Sequence, residues 1–271
     1  VSSEFVRSTA LPHLEARRSC QENTCYRPHA HDAFSVGLVE AGTSVFTAPS
    51  GDTVQLRAGD VVVIAAGQVH QCNPRRGPWQ YQMVHVDQEW AAAQAVGTGA
   101  GPLLKGVTVL RDARAHQRFL EWSELLFSRQ PDGEGRAAEA ETIQRGFRGL
   151  ARALAEAAPV HTVLGGGDDA LLERVLPVLQ RLRDDETNPR LDELARLVGL
   201  SRFQLIRAVK SATGLAPLAW RQDQRITRAR HLLRRGTPVT EVAHTLGFAD
   251  QSHFHRVFRA HVAATPSTYR G

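Results

Sequence analysis

The chain has 271 residues, 42% of them hydrophobic and 23% charged, a globular composition sufficient for one large domain or two ordinary ones. The longest dense apolar run, residues 61–67, is far short of the ~18 residues of a membrane span, and an early acid with no long apolar core argues against a signal peptide, so a cytoplasmic, non-membrane protein is expected. The net charge of +5 is unevenly placed: residues 171–271 carry +8 and the rest −3, which suggests a polyanion-binding module joined to something else.

Three cysteines, Cys20, Cys25 and Cys72, lack CxxC spacing, so they read as reduced thiols rather than a disulfide framework or zinc finger. The first chemical feature is YRPHAHDAF at 26–34, where His29 and His31 are two residues apart. In a strand both would point to one face, as the start of a metal site, the wall of a ligand pocket, or an exposed edge. Residues 34–87 then alternate and turn as short antiparallel strands, the pattern of a sandwich or barrel.

After Asp112 the period changes. Phe119, Trp122, Leu125 and Leu126 have helical spacing, a break is expected at 130–135, and a second helix follows. In that helix Ile143, Phe147, Leu150 and Leu154 form a short a/d seam, either a dimer contact or a face packed on the protein's own sheet. Residues 158–170, with three consecutive glycines, read as an interdomain linker. The expected division is 1–157, a sensing and dimerising domain; 158–170, a linker; and 171–271, a helical domain.

The helical end contains a repeat. LARLVGLS at 194–201 matches VAHTLGFA at 242–249. Each copy is a short apolar helix, a glycine (Gly199, Gly247) suited to a positive φ, a capping position (Ser201, Asp250), and an amphipathic helix. That is a helix-turn-helix pattern. Its outer faces carry Arg202, Gln204, Ile206, Arg207 and Lys210 in the first copy. In the second they carry Gln251, Ser252, His255, Arg256 and Arg259. Phe203 sits near the boundary. Arg and Gln early in such a helix have the donors and acceptors that base edges require. A helix with Trp220, Ile226, Ala229, Leu232 and Leu233 on its buried side and arginines facing out joins the copies. Reading one face of B-DNA requires the two recognition helices to lie about 34 Å apart.

LDELARLVGLSRFQLIRAVKSATGLAP, RITRARHLL and VTEVAHTLGFADQSHFHRVFRAHVAATPSTYR resemble the DNA-binding domain of the AraC/XylS family of bacterial transcription regulators. The resemblance implies two major-groove helices and base contacts from Phe203, Ile206, Arg207, Gln251, Ser252, His255 and Arg256. Ile206 departs from the usual polar residue, and Val262-Ala263-Ala264 replaces the glycine that matches Gly214.

The family commonly carries an N-terminal cupin-like barrel for a small effector, and RPHAHDAF with GDVVVIAAGQVHQCN is similar to the two cupin motifs. The implied fold class is α+β in two domains: a cupin-like β-barrel with flanking helices, then an all-α domain with two helix-turn-helix motifs joined by a linking helix. Cupin enzymes hold a metal with three histidines and a carboxylate. His29, His31 and His70 match the histidines, but Ser35 and Val36 stand where the carboxylate is expected. A zinc, iron or nickel site on those histidines, with His85 as a substitute, and a wall touching the effector directly both stay open. In the second reading Arg27, His29, His31, His70, Trp79, Tyr81 and His85 contact the effector.

The function expected is an effector-responsive, DNA-binding transcriptional activator, not an enzyme. It would act as a homodimer on promoter or operator DNA, with RNA polymerase as a partner. The alternative is a metal-dependent cupin oxygenase or isomerase fused to a DNA-binding domain.

Overall fold

The computed structural model describes residues 2–22, 26–74, 77–128, 135–164, 168–185 and 188–271. Strands come first: β1 (Ser2–Arg7), β2 (Glu15–Glu22), β3 (Phe34–Ala41), β4 (Thr43–Thr47), β5 (Thr53–Arg57), β6 (Val61–Ile64), β7 (Gln71–Pro74) and β8 (Pro78–Val86). Helix α1 (Gln88–Ala95), β9 (Val107–Leu110), α2 (Ala113–Phe127), α3 (Arg136–Glu156) and β10 (Pro159–Val163) follow.

The strands form a seven-stranded sheet, ordered β1-β2-β8-β3-β6-β9-β10, and a three-stranded sheet, β5-β4-β7. Gly42, at φ +77°, passes the chain from β3 in one to β4 in the other, and a Cβ there would lie 2.9 Å from the Trp79 Cα. Only glycine fits both demands. Val39, Val62 and Ile64 of the larger sheet share an apolar cluster with Phe46 and Leu56 of the smaller one. The expected barrel is not closed by backbone hydrogen bonds among the described residues. An isolated bridge between His29 and His70, with reciprocal N–H to carbonyl bonds of 3.0 and 2.9 Å, is what ties the segment before β3 to the segment before β7.

β3 and β6 are apolar on both faces because both faces are covered. Their outer side chains pack under α2 and α3 through Phe119, Trp122, Phe147 and Leu150. Each large apolar side chain so buried contributes roughly 1.5–3 kcal/mol. This settles the seam of α3: Ile143, Phe147, Leu150 and Leu154 are at most 3% exposed within the chain itself, so they pack on its own sheet and are not free to meet a partner. The expected helix break lies almost wholly outside the described residues. The expected linker is corrected in part. Its Pro159–Val163 segment is β10, paired antiparallel with β9, since a β-branched, alternating run beside an open sheet edge gains hydrogen bonds by adding to it.

The C-terminal half is helical: α4 (Asp169–Asp184), α5 (Leu191–Leu197), α6 (Arg202–Thr213), α7 (Pro217–Arg234), α8 (Val239–Thr245), α9 (Gln251–Val262) and α10 (Pro266–Arg270). It has two cores. Val175, Val178 and Leu182 of α4 pack with Leu194, Leu205 and Val209. Ile226, Ala229 and Leu233 of α7 pack with Val242, Phe254, Phe258 and Tyr269. Gly199 and Gly247 adopt φ +64° and +66°, Ser201 makes a capping box with Gln204, and the Asp250 carboxylate caps the His253 N–H at 2.6 Å, as the repeat predicts. At the glycine departure, Ala263 itself takes the left-handed cap that Gly214 takes in the first copy. Among the described residues Ala263 is the one non-glycine at positive φ, +51°. No helix among the described residues is long and apolar enough to cross a membrane.

Candidate functional sites

The first candidate site is the pair of outer faces on α6 and α9. Arg202, Phe203, Gln204, Arg207 and Lys210 are exposed on α6, with Ile206 half-buried. Gln251, Ser252, Arg256 and Arg259 are exposed on α9, with His255 half-buried beside Gln251. Phe203 is 77% exposed among the polar residues of this face. Each helix is anchored from behind, by Leu205 and Val209 or by Phe254 and Phe258, all fully buried. The long polar side chains are thus held outward on rigid supports.

The second site is a cavity shared by the two halves. β2 and β8 supply one wall through their register, which sets Glu15 opposite His85, Arg17 opposite Met83, Ser19 opposite Tyr81 and Gln21 opposite Trp79. Directly opposed residues share a face, so this strand pair turns a largely polar row inward. α7, α9 and α10 supply the other wall, through Asp223, Ile226 and Arg230, His261 and Val262, and Tyr269. The cavity together with its open mouth holds about 730 Å³ of empty space, which suits a small ligand.

Five histidines line it, and four of them, His29, His31, His70 and His85, stand together. The rings of His29, His31 and His70 lie 4.7–5.0 Å apart, and His85 is 4.5 Å from His31. One ring nitrogen from each of the first three falls within 4.8 Å of the others. Nδ1 of His29 donates to the Arg27 carbonyl at 2.8 Å, and Nδ1 of His70 to the Gln68 carbonyl at 2.9 Å. A carbonyl can only accept, so both rings carry hydrogen on Nδ1 and keep a lone pair on Nε2. Burial lowers all four pKa values, to about 4 for His70 and about 3 for His85, and neighbouring histidines lower His29 and His31 further. Near pH 7 they are neutral acceptors. His85 is tied by Nδ1 to Ser35 Oγ at 2.8 Å and stands outside the three-nitrogen group.

A buried charge network closes the cavity across the two halves. Arg230 of α7 donates to Glu15 of β2 at 3.1 Å and to the Tyr269 hydroxyl at 3.2 Å, and that hydroxyl donates to Glu15 at 2.7 Å. Arg7 adds a bond to Glu15 at 3.2 Å. Burial would raise the Glu15 carboxyl, but Arg230 chiefly overrides it and holds it at about 2. Arg17 donates to the carbonyls of Val262 and Ala263 at 2.5 and 3.4 Å, fastening the end of α9. Asp223 is 3% exposed and accepts from the Ala30 N–H at 3.3 Å. Burial raises its pKa to about 7.

Of the residues expected to meet an effector, His29, His31, His70, Trp79, Tyr81 and His85 line this one cavity, whereas Arg27 does not. Arg27 is exposed, and its backbone N–H donates to the Ala260 carbonyl at 3.1 Å. The cations that do line it are Arg17 and Arg230. Sequence reasoning missed both, along with Glu15, Asp223 and Tyr269. It also expected the arginines of α7 to face out, yet Arg221 and Arg230 are 3% and 7% exposed. The available signal was EARRSCQE at 15–22: its alternation sets Glu15, Arg17, Ser19 and Gln21 on one face, and a helix such as α7 carries two buried faces where it bridges two bodies.

Models of known families match both halves: an AraC-like ligand-binding domain over residues 11–148 and a helix-turn-helix domain over residues 194–271. The chain belongs to the AraC family of transcriptional regulators. The arabinose operon regulatory proteins of Salmonella typhimurium and Escherichia coli are 28% and 27% identical to it. Each match covers 90% of this chain, and 85% and 82% of those proteins respectively. Among solved structures, ToxT from Vibrio cholerae superposes with a TM-score of 0.58 at 13% identity, covering 95% of this chain and 97% of that one. This AraC-family chain therefore shares a two-domain fold with ToxT, and it is a ligand-responsive, DNA-binding regulator.

Proposed function

We propose that this AraC-family regulator reads DNA with α6 and α9 and senses its effector in the cavity between its halves. The observation that carries the reading is shared ownership of that cavity: the helix joining the two helix-turn-helix units, α7, is also a wall. Arg202, Phe203, Gln204, Ile206, Arg207 and Lys210 contact one major-groove segment. Gln251, Ser252, His255, Arg256 and Arg259 contact the next. His29, His31, His70, Trp79, Tyr81 and His85 meet the effector. An effector shifts DNA binding only through different affinities for two arrangements, and a ligand between β2 and α7 would have them. The protein acts as a cytoplasmic homodimer and activator that recruits RNA polymerase, through a surface other than the α3 seam. The family of regulators to which it belongs favours this over a catalytic role.

The test is fluorescence anisotropy with duplexes from the region upstream of its own gene. Affinity should exceed that for random duplex at moderate salt and fall steeply as salt rises. Equal affinity for both duplexes would sink the reading.

A second reading, a divalent zinc, iron or nickel ion on His29, His31 and His70, is favoured by one observation. Two of the rings are anchored through Nδ1 with Nε2 left as a lone pair, the arrangement that orients imidazole ligands. Three nitrogens at about 2.0–2.1 Å from a metal would have to draw closer together than they now stand. Elemental analysis after purification without chelator decides it: one ion per chain that disappears in His29→Ala/His70→Ala supports the site.

A further inference from the structure

The cavity holds two buried ionisable groups that have no ion-pair partner within 4 Å among the described residues. Arg17 is 6% exposed, and its donors go to neutral acceptors: Ser19 at 2.8 Å, Ser3 at 3.3 Å and the two carbonyls at the end of α9. No carboxylate lies within ion-pair distance of it among the described residues. Asp223 is still more buried, makes one hydrogen bond, to the Ala30 N–H, and has no cation within that distance. Burying an ion without its counterpart is unfavourable, so two such groups in one cavity ask for a ligand with complementary charges.

The surroundings sort the same way. On the Arg17 side stand donors. Its guanidinium lies 5.4 Å from the Tyr81 ring, Tyr81 stacks on Trp79 at 4.4 Å, and the Trp79 indole N–H is buried with no partner. On the Asp223 side stand acceptors. The Ala30 N–H that binds Asp223 lies between His29 and His31, and the anchored His29 and His70 present Nε2 lone pairs. Met83 and Ile226 add apolar surface to the same cavity. The register sets Trp79, Tyr81, Met83 and His85 along one face of β8 in that order, which leads from the donor side to the acceptor side.

We propose that the effector is a small aminocarboxylate, its carboxylate held by Arg17 and the Trp79 N–H and its ammonium by Asp223 and the Nε2 atoms of His29 and His70. Arg17 and Trp79 belong to the sheets and Asp223 to α7, so such a ligand spans the boundary between the sensing and DNA-binding halves. This rests on the effector-sensing reading above and names the ligand class of that site.

The test is titration calorimetry on the full chain with three probe sets of matched carbon frame: α- and ω-aminocarboxylates of two to six carbons, the corresponding monocarboxylates, and the corresponding amines. At least one aminocarboxylate should bind, and at least tenfold more tightly than either monofunctional partner. Asp223→Asn, whose amide can still accept from the Ala30 N–H, should cut the advantage over the monocarboxylate below threefold and leave monocarboxylate binding unchanged. Trp79→Phe should weaken aminocarboxylate and monocarboxylate alike. Circular dichroism verifies the fold of each variant, and the Asp223→Asn comparison decides alone if Trp79→Phe does not fold. The proposal is overturned if no aminocarboxylate binds, if a monocarboxylate or amine binds as tightly, or if the advantage survives Asp223→Asn. A compound of another class that changes operator affinity would overturn it while leaving the regulator reading intact.

Discussion

The two helix-turn-helix units are near copies in sequence but meet the sensing half by different physics. The first touches it through bare surface: a Cβ on Gly214, just after α6, would lie 3.0 Å from Pro49 and from Val69. The second is clasped by charge and hydrogen bonds, through Arg230 and Tyr269 on Glu15, Arg17 on the end of α9, and Asp223 on the Ala30 N–H. One repeat therefore rests on the sensor and the other is wired to it. An effector bound in the cavity as proposed would meet the second unit and not the first.

The largest effect should come from cutting that wiring. Arg230→Ala leaves Glu15 buried without its main counter-charge, and removing one partner of a buried pair costs about 3–5 kcal/mol. Hydrogen exchange should show α10 and the end of α9 losing protection while α5 and α6 keep theirs. Equal loss in both units would erase the distinction drawn here.

Asp223 gives a pH-dependent version of the same contrast. Its folded pKa, about 7, lies above the ordinary aspartate value of 3.8. The folded state then binds more protons between the two, so this group's contribution is fully present below about pH 4 and is lost as pH rises through 7. In urea titrations without effector, Asp223→Asn should flatten that decline and be more stable than wild type at pH 8, by a few kcal/mol at most. A wild-type curve unchanged by the substitution would remove Asp223 from the account.

On the DNA side the copies should behave alike. Arg207→Ala and Arg256→Ala should each cost about 1–3 kcal/mol in operator affinity, with sequence preference relaxed at one half of the site only. Measurement on operators mutated in one half at a time would show it. Smallest is Ala263→Gly. A non-glycine in the left-handed region costs roughly 1–2 kcal/mol, so glycine at the cap of α9 should raise stability by up to about 1 kcal/mol in thermal melts, as the first copy already has at Gly214.

The sequence was most readable where one local rule decided the outcome. Gly199, Gly247, Ser201 and Asp250 did what turns and caps demand, and the apolar strands β3 and β6 were visible because both of their faces are covered. β2 was not, because its inward face is Glu15, Arg17, Ser19 and Gln21, a row that reads as solvent-facing until its partners are known. Arg230 and Asp223 failed the same way: a charged residue on an amphipathic helix looks exposed unless the opposing surface carries its counterpart 193–215 positions away. The α3 seam shows the limit of periodicity. Spacing reveals that a face is buried, not what buries it.

The Glu15–Arg230 contact also bears on how such a protein can be taken apart. The two halves look modular, and a chimera would seem a matter of joining one sensor to another reader. Yet a sensor carrying Glu15 beneath a foreign α7 keeps a buried acid with no arginine to meet it, and a reader carrying Arg230 beneath a foreign sheet inherits the reverse debt. The residues proposed to read DNA sit on the outer surface and could be exchanged one by one. The inner surface of the same domain is fitted to one sensor, so a working hybrid has to be cut between those two surfaces of the reader rather than at the loop between the domains.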